Sequence, residues 1–170
     1  MIRYIKLYDL IGFKVCWVLC AFCSIWNQPY LGPIATLLFI LIHLFFVNFR
    51  SRDIKVIIIA ILCGLILDSS FSNLSLISYK GGILAKYSLS PLWILSMWAG
   101  FALSMLYTLE SIREKYILSS LLGLVGGPLS YSAGVGIGSI TILTTYSYIY
   151  LAIAWALIVP LLFKYANNQD

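Results

Sequence analysis

Three ionisable residues lie within or at the edge of long apolar stretches: Lys14, His43 and Asp68. A charged group is costly in apolar surroundings, so each is a candidate for acid–base chemistry, proton transfer or ligand binding. His43 is the single histidine of the sequence, and a proton relay through it needs a partner such as Glu110 or Glu114. The simpler interpretations are that Lys14 extends its amine towards lipid head groups and that His43 is a packed, hydrogen-bonded residue.

Asp68 could form a pocket with polar and aromatic residues from other apolar runs. It follows Ile54, the start of the third run, by fourteen residues, which places it about 21 Å along a helix. Residues expected at a similar level complete a candidate outward-facing polar pocket: Asn27, Gln28, Asp68, Trp93 and Tyr131. The alternative, with equal support, is that Asp68 caps a helix end and faces water.

Other motifs point away from metal and nucleotide chemistry. A single histidine excludes histidine-pair metal motifs. Cys16, Cys20 and Cys23 share one face of a helix and are expected to pack as small apolar residues. The glycines at 134, 136 and 138 lack the lysine of a phosphate-binding loop. We therefore predict no metal and no cofactor, and the sequence assigns no catalytic residue.

Composition indicates that these residues belong to a membrane protein. Hydrophobic residues make up 62% of the chain and charged residues 10%, whereas soluble domains carry about 25% charged residues. The mean hydropathy is +0.98. The net charge of +5 comes from short basic clusters between apolar runs, a pattern typical of membrane topology and contact with anionic lipid. The expected partners are therefore membrane lipids and not nucleic acid, and no protein partner can be predicted.

Six apolar runs approach the roughly 20 residues that a helix needs to cross a bilayer. They cover residues 10–26, 30–47, 54–68, 91–109, 116–133 and 144–163. They predict an all-α fold, with residues 1–170 forming a single domain of about six transmembrane helices. The serine-rich segment 69–90 is expected to be a surface loop or an interfacial helix.

The basic residues predict how this bundle lies in the membrane. With six spans, one side carries nine of them and the other side two. The first set is Arg3, Lys6, Lys14, Arg50, Arg52, Lys55, Arg113, Lys115 and Lys164, and the second is Lys80 and Lys86. Because basic loops stay in the cytoplasm, we expect a multi-pass membrane protein with both termini cytoplasmic.

Small residues at intervals of four predict where helices approach each other closely. The fourth run contains Ser96, Gly100 and Ser104, and the fifth contains Gly123 and Gly127 followed by Pro128. This spacing favours close packing of the fourth and fifth helices. The alternative is that the fifth helix is broken or kinked at Gly123–Pro128 and that its free backbone groups line a cavity, as in transporters.

The order of several short motifs resembles a bacterial inner-membrane family of about this length, domain of unknown function 2878. The motifs are Asn27-Gln28-Pro29, His43, Gly64 with Asp68, Pro91-Leu92-Trp93 with Trp98, and Gly126-Gly127-Pro128-Leu129-Ser130-Tyr131 with Gly134. The resemblance covers nearly the whole chain and implies no assigned activity. Genes of this family often lie beside genes for cyclopropane-type modification of fatty-acyl lipids, which implies a role in lipid modification or envelope stress.

Three functions are compatible with the sequence. The first is a lipid-related binding or accessory protein with a pocket around Asp68. The second is a small transporter or substrate-binding membrane subunit. The third is a membrane enzyme that uses Asp68 or His43, which ranks last because these two residues are expected near opposite faces of the membrane.

Overall fold

A computed structural model describes residues 2–48, 50–82, 84 and 87–169 of the chain. Within these ranges it contains six α-helices: α1 (Ile2–Cys23), α2 (Leu31–Phe46), α3 (Arg50–Asn73), α4 (Leu92–Tyr107), α5 (Tyr116–Ile137) and α6 (Tyr146–Asn167). Two short strands, β1 (Ile77–Tyr79) and β2 (Ile140–Ile142), and a 3-10 turn at Glu110–Ile112 complete the described elements. The predictions for Lys86, and for the side chains of Arg3 and Arg50, fall outside what is described.

Six helices follow the six apolar runs, as predicted, and their lengths differ. Three segments are long and apolar enough to span a membrane: Ser51–Asn73, Tyr116–Ile137 and Tyr146–Asn167. α2 and α4 are apolar but have 16 residues each, or about 24 Å at 1.5 Å per residue. α1 is longer and carries several charged residues.

α3 extends beyond the predicted span in both directions. It continues one and a half turns past Asp68 to Asn73, and the Ser70 hydroxyl donates to the carbonyl of Ile66 at 2.7 Å within it. Asp68 is fully buried. The interpretation of Asp68 as a helix cap facing water is therefore wrong, because the serines that follow it continue the helix.

The two strands join the chain after α3 to the chain after α5. They pair antiparallel, with Ile77 opposite Ile142 and Tyr79 opposite Ile140. α5 continues past Gly134 and Gly136 to Ile137, and the next residue, Gly138, has a φ of +89°, the left-handed conformation that favours glycine. The segment 69–90 therefore begins as helix and continues as a strand, which neither the loop nor the interfacial-helix prediction anticipated.

The ends of the helices gather as the charge pattern predicted. Lys6 Nζ forms an ion pair with Glu110 Oε2 at 2.6 Å, which joins the start of α1 to the segment after α4. Lys55 Nζ donates to Gln169 Oε1 at 2.9 Å, which joins the start of α3 to the chain after α6. We call this the basic end of the bundle, and the opposite end, which carries β1 and β2, the strand end.

The small residues of α5 lie against α6, so the predicted packing of the fourth and fifth helices is wrong. A Cβ added to Gly123 would overlap the backbone carbonyl of Trp155, and one added to Gly127 would overlap its indole. Gly100 of α4 instead lies close to Phe13 of α1. The spacing correctly indicated close approach, but it could not specify the partner helix.

The remaining residues of these motifs have local roles. The Ser96 hydroxyl donates to the carbonyl of Leu92 in its own helix at 2.9 Å, and Ser104 is buried. Pro128 lies inside α5, which is continuous from Tyr116 to Ile137. A broken fifth helix is therefore contradicted, whereas a helix kinked at Pro128 stays a prediction.

Candidate functional site

An apolar cavity of about 340 Å³ lies between α1, α4 and α5, in the place where close packing was expected. This volume falls in the range of roughly 300–1,000 Å³ typical of small-molecule pockets. Aromatic side chains form much of its lining: Phe13, Trp17, Trp93, Trp98, Phe101, Tyr131 and Trp155. The polar lining residues include Lys14, Ser104, Thr108, Ser130 and Ser139. We call this space the α1/α4/α5 cavity.

Two stacked indoles form the inner wall of the cavity. The rings of Trp98 and Trp155 have centroids 4.4 Å apart and planes inclined by 16°. A side chain at Gly64 of α3 would overlap Trp98, and one at Gly127 of α5 would overlap Trp155. The stack therefore fits between two helices because both present glycine there, and it forms a rigid aromatic surface.

Asp68 lies outside the cavity and accepts hydrogen bonds from residues of its wall. Its Oδ2 accepts a hydrogen bond from Trp98 Nε1 at 2.7 Å. Its Oδ1 accepts one from the Tyr79 hydroxyl at 2.7 Å and another from the Tyr131 hydroxyl. A buried carboxylate needs such donors to offset its lost hydration. Since Trp98 and Tyr131 both line the cavity, Asp68 positions two of its wall residues.

β1 supplies one of these donors and connects to a further wall residue. Burial raises the pKa of the Tyr79 phenol well above its usual value, and the nearby Asp68 carboxylate raises it further, so this hydroxyl remains a donor. The Tyr79 ring lies edge-on to Trp93, with centroids 6.3 Å apart. Trp93 Nε1 donates to the carbonyl of Lys80 at 2.9 Å. The short strand therefore links Asp68 to the strand end of the cavity.

The structure brings together three of the five residues of the predicted pocket. Asp68 contacts Tyr131 directly and reaches Trp93 through Tyr79. Asn27 and Gln28 do not join them. Both are exposed in the turn after α1, where the backbone N–H of Gln28 donates to the carbonyl of Cys23. A shared level along the bundle axis does not determine which side of the bundle a residue faces.

The cavity opens between α1 and α5. Leu10 and Leu122 line it from these two helices and are 36% and 38% exposed. Trp17 Nε1 donates to Ser130 Oγ at 3.3 Å and bridges the two helices. Lys14 lines the cavity one helical turn from Leu10, is exposed, and has no ion pair within the described part of the chain.

A second polar cluster lies at the basic end and contains His43. Its ring nitrogens face two carboxylates, Nδ1 at 2.8 Å from Asp9 Oδ1 and Nε2 at 3.2 Å from Asp53 Oδ2. Arg52 Nε donates to Asp53 Oδ1 at 3.0 Å, and the Tyr107 hydroxyl donates to Asp53 Oδ2 at 2.6 Å. We call these five residues the His43 cluster. His43, Asp9 and Asp53 are fully or almost fully buried.

The partners of His43 are not the glutamates that the sequence suggested. Glu110 pairs with Lys6, and Glu114 is exposed. Asp9 and Asp53 were overlooked because they stand among basic residues and resembled surface charges. A usable signal existed, since Asp9 and His43 lie about equally far along the chain from the turn at Asn27 and so reach a similar level.

The two polar clusters lie at opposite ends of the bundle. Asp53 and Asp68 both belong to α3, and fifteen residues of helix correspond to about 22 Å. Direct proton transfer between His43 and Asp68 is therefore not possible in this arrangement. The α1/α4/α5 cavity extends between the two levels, with Lys14 towards the basic end and Tyr131 towards the strand end.

Comparisons with other proteins support the family resemblance. No curated protein and no solved structure matches the chain. The family described as "Protein of unknown function (DUF2878)" matches residues 6–161, which is most of the chain. The protein therefore belongs to the DUF2878 family.

Proposed function

We propose that the protein is a multi-pass protein of the bacterial inner membrane that binds an amphiphilic lipid, with an acyl chain in the α1/α4/α5 cavity. The observation that carries this proposal is the aromatic-lined apolar cavity of about 340 Å³ that opens between α1 and α5. A void in a packed interior loses dispersion contacts along its walls. An acyl chain restores those contacts and can enter from the bilayer without crossing water.

The polar residues at the ends of the cavity suit a head group. Lys14 lies at its opening towards the basic end, where its ammonium can approach an anionic phosphate. Ser104 and Thr108 line the same end and provide hydroxyl groups. Anionic phospholipids are therefore the favoured ligand class.

Binding is better supported than acid–base catalysis. Both oxygens of Asp68 already accept hydrogen bonds, and Asp68 is closed from the cavity by Trp98 and Tyr131. His43 is buried between Asp9 and Asp53. The transporter alternative loses the support that a broken fifth helix would have given it, because α5 is continuous.

The proposal includes six membrane spans with both termini in the cytoplasm. Three helices have the length and apolarity of spans, and α2 and α4 are shorter apolar helices. The basic residues of the sequence concentrate at the end where Lys6, Lys55 and Gln169 lie. This concentration supports a cytoplasmic location for that end.

Tryptophan quenching tests the proposed ligand site. Four of the five tryptophans, Trp17, Trp93, Trp98 and Trp155, line the cavity, while Trp26 lies outside it and is 52% exposed. We expect phosphatidylglycerol with dibrominated acyl chains to quench the tryptophan fluorescence of the purified protein saturably in mild detergent. The reason is that an acyl chain in the cavity contacts these indoles.

Two glycines of α5 provide the test variant and its control. A Cβ at Gly126 would meet no atom of the described residues within 4 Å. Gly126 also lines the cavity, so Gly126→Phe should fill it and reduce quenching several-fold. The space around Gly136 is equally open, but Gly136 does not line the cavity. The fluorescence of the Gly136→Phe variant should therefore be quenched as strongly as that of the wild type. Equal quenching of the Gly126 variant and the wild type would contradict the proposal.

A further inference from the structure

The two ring nitrogens of His43 both face carboxylates, an arrangement that a neutral imidazole cannot fully satisfy. A neutral imidazole carries one N–H and donates one hydrogen bond. Here both ring nitrogens face carboxylate oxygens, at 2.8 Å for Asp9 and 3.2 Å for Asp53. If His43 were neutral and both aspartates ionised, one nitrogen lone pair would point at a carboxylate in a buried site.

The two carboxylates differ in their other partners. Asp53 also accepts hydrogen bonds from Arg52 Nε and from the Tyr107 hydroxyl. Asp9 contacts His43 through Oδ1, while its buried Oδ2 has no hydrogen-bond partner among the described residues. Asp9 therefore depends on His43 to offset its charge.

The other ionisable groups near the cluster are engaged elsewhere. The hydroxyl of Tyr8, next to Asp9 in α1, donates to the carbonyl of Phe39 at 2.9 Å. Lys6 pairs with Glu110 at the surface. Among the described residues, the groups that face His43 are thus Asp9 from α1, Asp53 with Arg52 from α3, and Tyr107 from α4.

The formal charges of the cluster indicate that it binds one additional proton. With a neutral His43, the two aspartates and Arg52 leave one net negative charge among buried side chains. Uncompensated charge in a site closed from water is strongly unfavourable. One added proton on the imidazole makes the cluster neutral and turns both ring contacts into N–H donations.

We infer that the His43 cluster is a proton-binding site, in which His43 is an imidazolium ion that bridges Asp9 and Asp53. Its ligand is one proton, which the free ring nitrogen takes up from water with no other bond changed. The bound proton links α1 to α2 and α3. This site is separate from lipid binding in the cavity and does not depend on it.

Nitrogen NMR tests this inference without ambiguity, because the chain has one histidine. The protein is labelled with ring-¹⁵N histidine and measured in phosphatidylglycerol vesicles at pH 7.5, where a solvent-exposed histidine is mostly neutral. We expect both ring nitrogens to resonate as protonated nitrogens. Asp9→Asn removes one negative charge and offers its amide as a donor, so its spectrum should show one unprotonated nitrogen.

Glu110→Gln is the matched control, since it removes a surface carboxylate from the same end of the bundle. Its spectrum should match the wild type, with two protonated nitrogens. A neutral ring in the wild type at pH 7.5 would overturn the inference, as would an imidazolium that persists in the Asp9 variant. If that variant does not fold, the wild-type spectrum decides alone.

Discussion

Asp68 acts on the cavity through the side chains that it holds. Its oxygens accept from Trp98, Tyr79 and Tyr131. Asp68→Asn would place an amide donor against one of these donors and leave buried hydrogen-bonding groups unpaired. Such groups cost about 1–3 kcal/mol each. We expect the free energy of unfolding to fall by that amount, as measured by denaturant titration in mixed micelles.

A double-mutant cycle separates this network from a general effect of substitution. Tyr79→Phe removes one donor and leaves two others on the carboxylate, so it should cost less than Asp68→Asn. The double variant should lose less stability than the sum of the two single variants, because both changes act on the same hydrogen-bond network. Strict additivity would show that Tyr79 and Asp68 are not coupled.

Residue type identified candidate site residues more reliably than it identified the residues that contact them. Asp68 and His43 stand out because ionisable residues are rare in apolar runs. Tyr79 was missed because it belongs to a serine-rich segment without a clear apolar pattern. Asp9 and Asp53 were missed because neighbouring basic residues made them resemble surface charges. In each case the missing information was which helix faces which, and a list of residues and spacings does not contain it.

At the scale of elements, the glycines of α5 differ in what they face. Gly123 and Gly127 face Trp155 of α6, whereas Gly126 faces open space. Gly123→Ala should therefore destabilise the protein by about 1–3 kcal/mol, as overpacked substitutions do. Gly126→Ala should be neutral or stabilising by roughly 0.5–1 kcal/mol, because alanine favours helix. Thermal unfolding of the purified variants measures both effects.

Gly136→Ala provides a second reference in the same helix, since its Cβ also meets no atom within 4 Å. It should behave like the Gly126 variant. If all three substitutions had equal effects, the close approach of α5 and α6 would be contradicted, and helix propensity alone would explain the results.

The helices could be predicted from the sequence because each one corresponds to a continuous apolar run. Each apolar run became a helix, with boundaries shifted where α3 and α5 continue through serine or glycine residues. The three-residue strands are too short for alternation to be recognised. Small-residue spacing indicated a close contact for α5, but α6 rather than α4 fills it because Trp155 occupies the space beside Gly123 and Gly127.

At the scale of the whole molecule, charge and chemistry divide between the two ends of the bundle. The basic end holds the His43 cluster and the Lys6–Glu110 pair. The strand end holds Asp68 and the paired strands. The six runs and their charge asymmetry predicted this grouping of helix ends, since consecutive antiparallel helices must alternate. What the grouping adds is a prediction about the membrane: one end faces the cytoplasm and the other does not.

Cysteine labelling tests that orientation. Ser75 at the strand end and Asn168 at the basic end are both exposed, so each is replaced by cysteine and treated with a membrane-impermeant maleimide. In intact bacterial spheroplasts, Ser75→Cys should react and Asn168→Cys should react only after lysis, because positive charge keeps the basic end inside. The unmodified chain is the control: Cys16, Cys20 and Cys23 are buried, Cys63 partly so, and their background should be low. Labelling of Asn168→Cys before lysis would reverse the proposed topology, and with it the face from which Lys14 approaches a head group.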